Sequence, residues 1–385
     1  MDFAFTPEQC LIRDTAREFC DAHGSSQKVR AILESPLGYD SEVWSQMAAE
    51  MGWAGMAIPE RFGGSGLGLV ALAILQHEQG RRLFPSPFFT TVCLAAPIVD
   101  ALGTEAQQSE LLGRIAAGKA RVSVALTGPR GIPGCAGITS ELRRDGTRYR
   151  LQGESRFVIY GHAYDVLLVA ARAPGTRGND GVSVVAIDAK VPGVTVQGLT
   201  MLDQTRPMAS LKFDVEISTA SILGEPEEAG DGLEHALQRA RIALAAEAVG
   251  GAEWTLDMTT AYAKQRVQFG RPIGSFQAVK HRLADMMVLV EAARSASWYA
   301  ACVADEQPEE LPEAAAIAKS YCSDAFFSCA ANAIQLHGGI GFTWEHDAHL
   351  YFKRARALST LLGSPAWQRE QLARLLVPTA AEALL

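Results

Sequence analysis

The spacing of apolar residues changes twice along this chain of 385 residues, and that change limits the possible folds more than any other feature. Apolar positions recur near the helical period up to about Gly118, alternate with polar ones from residue 122 to 224, and return to the helical period beyond Gly232. Short alternating runs between Gly, Pro and Asp-Gly turns are typical of strands. The sequence therefore predicts an α+β protein with three domains: N-terminal helices over 1–120, a small antiparallel β-barrel or sandwich over 121–225, and a C-terminal four-helix bundle over 226–385.

Local signals predict the ends of several elements. Thr6 is expected to cap the first helix, because a threonine hydroxyl accepts hydrogen bonds from amides of the first turn. Residues 220–223 are predicted as the last strand of the central domain. The fourth bundle helix is predicted from Glu345 through Leu362.

Charge and composition argue against several classes of protein. The net charge is −8 and no block of Lys or Arg stands out, which disfavours nucleic-acid binding. No apolar run approaches the roughly 20 residues that span a bilayer, so no membrane association is expected. The start MDFAFTPEQC lacks the basic and apolar regions of a signal peptide, so we expect a cytoplasmic protein.

Neither a disulfide framework nor a metal site is expected. The seven cysteines are scattered and form no CxxC pair. His346 and His349 lie close to Glu345 and Asp347, but carboxylates at this position more plausibly belong to the first turn of a helix.

Four short motifs follow one another along the chain. They are IPERFGG at 58–64, ALTGP at 125–129, RVQFGRPIGSFQ at 266–277 and QLHGGIGF at 335–342. In this order they resemble the IPExxGG, ALTEP, RxxFGxPIxxFQ and QxxGGxG motifs of the acyl-CoA dehydrogenase family, and the resemblance covers essentially the whole chain. It implies FAD as cofactor, α,β-dehydrogenation of an acyl-CoA thioester, electron transfer to an electron-transfer flavoprotein, and a tetramer.

The two bundle motifs contain the residue types that bind a dinucleotide. A pyrophosphate needs a fixed guanidinium, which Arg266 would supply, and closely approaching backbone amides, which Gly338 and Gly339 would allow. The resemblance implies that Phe269 and Gln335 line the same FAD, and that the two sets of residues come from neighbouring subunits.

The central domain departs from the family pattern beside the flavin. Thr127 is kept, but Gly128 replaces the acidic residue of ALTEP, and Phe157 and Ile159 replace a Trp and a Thr. The resemblance implies that Thr127 and Phe157 contact FAD. Loss of hydroxyl donors at the ring system is expected to weaken flavin binding or to change its potential.

The catalytic base is the largest departure. The family's glutamate corresponds to Leu362, and an alternative position in some members corresponds to Ala240, so neither holds a carboxylate. Glu247 is the candidate base, because it lies about two turns beyond Ala240 in an apolar stretch that is expected to raise its pKa. The alternative is a buried Glu247 paired with an arginine such as Arg239 or Arg241. The resemblance also places Arg241 near the substrate.

Three functions remain open from the sequence. The first is a self-sufficient FAD-dependent acyl-CoA dehydrogenase, expected as a homotetramer. The second is a catalytically incomplete subunit of a heterotetramer whose partner chain supplies the base. The third is a family fold adapted to another flavin reaction, such as oxygenation.

Overall fold

The computed structural model describes residues 4–189 and 191–377, and its contacts divide the chain into two compact units. We call them the bundle unit and the sheet unit. The bundle unit comprises Met1–Arg30, Leu69–Phe84 and Arg241–Leu385, and the sheet unit comprises Ala31–Gly68 and Pro85–Ala240. The domain boundaries near residues 120 and 225 stay a prediction.

Strands of the sheet unit form one mixed sheet. They are β1 Val122–Ala125, β2 Glu141–Asp145, β3 Arg148–Ile159, β4 Val166–Arg172, β5 Val182–Asp188, β6 Val194–Leu199 and β7 Met208–Ile217. Their order is β1-β4-β2-β3-β7-β6, and β5 pairs with β4. Alternate residues of β7 point into the core, where Leu211, Phe213 and Val215 are buried.

Two details of this sheet differ from the sequence prediction. The sheet is not purely antiparallel, because β1 pairs with β4 in parallel. Residues 220–223 are not a strand: Thr219–Ser221 forms a 3₁₀ turn, and Ile222 makes an isolated bridge to Val185. Ile222 and Leu223 are both buried, so their apolar side chains pack in the core without joining a strand ladder.

Helices make up most of the rest of the described chain. They are α1 Pro7–His23, α2 Ser26–Leu33, α3 Ser41–Ser45, α4 Gly68–Arg81, α5 Ala96–Leu102, α6 Glu105–Ala116, α7 Gly230–Gln265, α8 Gln277–Glu306, α9 Leu311–His337, α10 Ala348–Thr360 and α11 Pro365–Leu376. In the bundle unit α8 packs against α9, and α9 packs against α10 and α11. No helix within residues 4–189 and 191–377 is both long and apolar enough to cross a bilayer.

The helix ends test two local predictions. Thr6 caps α1 as expected: Gln9 N donates to Thr6 Oγ1 at 3.2 Å, and Thr6 N donates to Gln9 Oε1 at 2.9 Å. The predicted fourth bundle helix is too long, since α10 begins at Ala348 and ends at Thr360. Leu361 is extended, with a φ of −67° and a ψ of 131°, and Leu362 has a φ of +55°, so neither residue continues the helix. The predicted fold class, with N-terminal helices, a central curled sheet and a C-terminal helical bundle, is confirmed.

Two glycines allow α4 and α7 to approach closely in the bundle unit. A Cβ on Gly80 would lie 2.1 Å from the carbonyl oxygen of Glu247. A Cβ on Gly250 would lie 1.9 Å from the carbonyl oxygen of His77. Backbone meets backbone at this crossing, so a larger residue has no flexible neighbour to displace.

Replacing Gly80 by alanine is expected to lower the free energy of unfolding by about 1–3 kcal/mol, because the new methyl group forces the two helices apart. Chemical denaturation measures this loss. Gly113→Ala is the matched control: it also lies within a helix, but its Cβ would be 3.8 Å from the nearest atom. The control is expected to stabilise the protein by up to about 1 kcal/mol. Equal effects of the two substitutions would contradict the close crossing.

Candidate functional site

A short hairpin after α7 carries two of the predicted cofactor residues. Its strands, β8 Val267–Gln268 and β9 Arg271–Pro272, pair antiparallel, and Ile273 N donates to the carbonyl of Arg266 at 2.8 Å. Phe269 lies in the turn, 92% exposed and with a φ of +52°. The Arg266 side chain is exposed and makes no ion pair with any described residue. A guanidinium and an aromatic ring on this hairpin are therefore accessible to a ligand.

The loop after α9 has an open backbone. Gly338 has a φ of +63°, and no described atom lies within 4 Å of the point where a Cβ of Gly338 or Gly339 would sit. Gln335 is exposed on the last turn of α9. A glycine backbone without neighbouring side chains allows an anion to come close to its amides.

His337, which the sequence analysis missed, connects this loop to the end of α7. Its ring stacks on Tyr262 with 4.4 Å between centroids, and its Nδ1 donates to Ala333 O at 2.7 Å. Tyr262 precedes Arg266 by four residues, so the hairpin and the loop lie at the same end of the bundle unit. Burial lowers the pKa of His337, which keeps the ring neutral near pH 7. An exposed guanidinium and open glycine amides at the same end of the bundle unit are the groups that bind a dinucleotide phosphate.

The sheet unit holds the other two predicted cofactor residues. Thr127 Oγ1 donates to Arg156 O at 3.0 Å, and Arg156 N donates to Thr127 O at 2.8 Å. The register of β3 against β7 shifts between Ser155 and Val158, and this bulge contains Phe157. Phe157 has a φ of +61° and is 37% exposed. These two hydrogen bonds thus join Thr127 to the bulge that contains Phe157.

Packing explains one departure from the family pattern in the sheet unit. Gly128 stands where the ALTEP motif has an acidic residue. A Cβ at Gly128 would lie 2.0 Å from Thr139 Oγ1. The neighbouring threonine therefore occupies the space that an acidic side chain would need.

The loop after α10 carries Leu362, which the family resemblance predicts to occupy the position of the catalytic base. Arg241 Nε donates to the carbonyl of Leu362 at 3.1 Å, and Gln368 Nε2 donates to the same oxygen at 3.0 Å. These bonds hold Leu362 in its left-handed conformation. Its aliphatic side chain cannot accept a proton, and Ala240 is fully buried and equally inert.

Lys319, which contacts α10, is a further residue that the sequence analysis did not single out. It lies on α9, is fully buried, and its Nζ donates to Leu358 O and to Ser323 Oγ, both at 3.0 Å. Burial, with a further contribution from the charge of Arg241, lowers the pKa of Lys319 to about 7. Lys319 lies between Ala318 and Cys322 on an apolar helix face, and this position could have indicated from the sequence that the lysine is buried.

The stability of the chain is expected to rise with pH above 7 because of Lys319. The unfolded lysine keeps its ordinary pKa of 10.5, whereas the folded one has a pKa of about 7, so the unfolded state binds more protons between these values. Relative to Lys319→Met, the wild-type free energy of unfolding should increase by about 1–3 kcal/mol from pH 7 to pH 9. Urea denaturation across this window measures the difference. Lys280→Met, on the exposed side of α8, is the control and should run parallel to wild type. A constant difference between wild type and Lys319→Met would contradict the lowered pKa.

Glu247 lies in a buried ion pair. Its Oε1 is 2.5 Å from Arg354 Nη1, and both residues are 2% exposed. This partner is Arg354 on α10, whereas the sequence pattern points to an arginine such as Arg239 or Arg241. A base must come within hydrogen-bond reach of the proton that it removes, and this carboxylate presents almost no accessible surface.

Three of the predicted site residues share an unusual backbone conformation. Phe157, Phe269 and Leu362 all have positive φ, as do three other non-glycine residues in the described ranges. This conformation is costly for side chains larger than glycine and is often retained at functional sites. Each of the three positions, taken by itself, is therefore a candidate for a functional role.

Comparisons with known proteins show the family of this chain. Residues 6–119 match the family model "Acyl-CoA dehydrogenase, N-terminal domain", and residues 231–377 match "Acyl-CoA dehydrogenase, C-terminal domain". Acyl-CoA dehydrogenase IpdE2 of Mycolicibacterium smegmatis is 36% identical over 368 residues, which cover 96% of this chain and 97% of that protein.

Two solved structures are similar over their full length. A chain in the structure of the electron transferring flavoprotein of Acidaminococcus fermentans has a TM-score of 0.90 and 29% identity, covering 98% of this chain and 100% of that one. A chain of the ChsE4-ChsE5 complex of Mycobacterium tuberculosis has a TM-score of 0.88 and 28% identity, with the same coverage of 98% and 100%. The chain belongs to the acyl-CoA dehydrogenase family.

Proposed function

We propose that this chain is one subunit of a heteromeric acyl-CoA dehydrogenase in which a second, related chain carries the catalytic base. Family membership supports oxidoreductase activity, and the cofactor is FAD. Bound FAD supplies the ring that accepts hydride in the family's α,β-dehydrogenation. Location in the cytoplasm stays a prediction.

The observation that carries this proposal is the state of the three candidate base positions. Leu362 and Ala240 have no ionisable group, and Glu247 is held by Arg354 at 2.5 Å with 2% of its surface exposed. Proton removal from the carbon alpha to a thioester needs a carboxylate that can touch the substrate. None of the three candidate residues, Leu362, Ala240 and Glu247, offers a carboxylate that can touch the substrate.

The chain's own part in the reaction is to bind and orient the cofactor and substrate. Arg266 would pair with the pyrophosphate, and the amides of Gly338 and Gly339 would donate to it. Phe269 and Gln335, both exposed, would line the same cofactor. Thr127 and Phe157 would contact the flavin ring, and Arg241 would lie near the substrate.

The comparisons support the kinds of partner. A chain of the ChsE4-ChsE5 complex shares this fold over the whole chain, which favours a heterotetramer of two dehydrogenase-like chains. Similarity to a chain in the structure of an electron transferring flavoprotein favours such a protein as electron acceptor.

A self-sufficient homotetramer with Glu247 as base is the second candidate function. The observation in its favour is that Glu247 is the single acidic residue between Glu234 and Glu253 on α7, the helix that also carries Ala240.

Purification of the tagged chain from its native cells separates the two functions. A heteromer predicts a second dehydrogenase-sized chain in equal amount, and acyl-CoA turnover per folded complex that persists when the whole buried pair is removed by Glu247→Gln together with Arg354→Met. A homotetramer predicts one chain, active alone and inactivated by Glu247→Gln. Asp324→Asn, at an exposed ion pair, is the control for nonspecific effects of removing a carboxylate.

A further inference from the structure

A cavity of about 380 Å³ lies within the bundle unit, among α1, α4, α7 and α8. None of the residues assigned to the cofactor, the substrate or the base positions lines it. We propose that this cavity is a second ligand site, which binds a small carboxylate with a hydrophobic body.

The carboxylates of the cavity wall already have cationic partners. Glu78 accepts from Arg17 Nη2 at 2.8 Å and Nε at 3.0 Å, and it contacts His77 Nδ1 at 3.1 Å. Glu253 lies 2.8 Å from His77 Nε2, 2.6 Å from Arg81 Nη1 and 3.2 Å from Arg294 Nη2. Burial alone would raise the pKa of both acids, but these partners lower it to about 2. A cationic ligand therefore gains little here.

The arginines of the wall, in contrast, retain hydrogen-bond donors. Arg13 contacts Asp14 through Nε and Nη2, and Arg17 contacts Glu78 through the same two nitrogens. Within the described part of the chain, Nη1 of each guanidinium is left for another acceptor. Arg13 and Arg17 are four residues apart on α1, so they lie on one face of the helix. With Arg294, they place three arginines on a wall that holds two carboxylates, while Asp14 and Glu291 outside the lining pair with Arg13 and Arg294. This arrangement favours a planar anion such as a carboxylate.

The remaining wall is apolar and aromatic. Phe5 and Trp298 pack with 4.5 Å between ring centroids, and Ile74 and Val249 also line the cavity. Ligand sites in proteins combine such apolar walls with a few polar groups and typically enclose about 300–1,000 Å³. A ligand with a carboxylate head and an aromatic or aliphatic body matches both parts of the wall.

Isothermal titration calorimetry of the full chain with phenylacetate tests this site, and 2-phenylethanol serves as the uncharged control. We expect saturable binding of phenylacetate, at least about tenfold tighter than that of the alcohol, because charge-assisted hydrogen bonds to a carboxylate are stronger than those to a hydroxyl. Neither FAD nor turnover is needed for this readout.

Substitution of Arg13 locates the binding. Arg13→Gln is expected to weaken phenylacetate binding about tenfold or more. Its partner Asp14 is 62% exposed, so the fold should tolerate the change. Arg294→Gln, 44% exposed, should act in the same direction, and Arg369→Gln, outside the cavity, should leave the affinity unchanged. No saturable binding, equal affinity for acid and alcohol, or wild-type affinity in both cavity variants would overturn the proposal.

Discussion

Replacing Arg354 by methionine is expected to lower the free energy of unfolding by about 3–5 kcal/mol, because it leaves the carboxylate of Glu247 buried without the Arg354 charge. Both side chains are 2% exposed, so water cannot take the place of the lost cation. Chemical denaturation at pH 7 measures the loss. It is among the largest stability effects that the structure implies for a single substitution.

A double-mutant cycle separates the ion pair from loss of packing. The variant with both Glu247→Gln and Arg354→Met carries neither charge of this pair and is expected to be more stable than Arg354→Met alone. Arg369→Met is the control, since its pair with Asp324 is 55% exposed on both sides. That change should cost about 0–1 kcal/mol. A loss below about 1 kcal/mol in Arg354→Met would show that the buried pair does not form.

Replacing Arg266 by glutamine is expected to weaken FAD binding about tenfold to a hundredfold, because the variant loses hydrogen bonds between a guanidinium and a phosphate. The side chain is exposed, so the fold should not change. Equilibrium titration of the purified assembly with FAD, followed by flavin absorbance, measures the affinity.

Arg374→Gln is the matched control for this titration. Arg374 is also an exposed arginine of the bundle unit, and it pairs with Glu370 on α11. The control should bind FAD as wild type does. Wild-type affinity in Arg266→Gln would remove Arg266 from the cofactor site.

The sequence predicts the fold class because the hydrophobic period is a local property. Helix caps such as Thr6 and long apolar helices are determined by neighbouring residues, and the structure confirms them. Pairing between distant strands is not local. The parallel pairing of β1 with β4 and the turn at Thr219–Ser221 depend on partners that the sequence pattern does not specify.

In the candidate site, too, local features could be predicted from the sequence, whereas contacts between distant residues could not. Motif order predicts site roles for Arg266, Gly338 and Leu362, and the structure describes their surroundings. The burial of two cations, Lys319 and Arg354, was not predicted from the sequence, because an isolated lysine or arginine in a helix is usually exposed. Lys319 and Arg354 are buried only because α9 and α10 pack in the bundle unit, where carbonyl oxygens and Glu247 satisfy their charges.

The proposed heteromer requires that this chain has no catalytic base of its own. The most direct test is the flavin absorbance of the isolated, FAD-reconstituted chain on anaerobic addition of short-, medium- and long-chain saturated acyl-CoA thioesters. The assembly purified from native cells is treated with the same thioesters in parallel. We expect bleaching of the flavin band in the assembly and none in the isolated chain. Bleaching of the isolated chain that disappears in Glu247→Gln would contradict this requirement and make Glu247 the base.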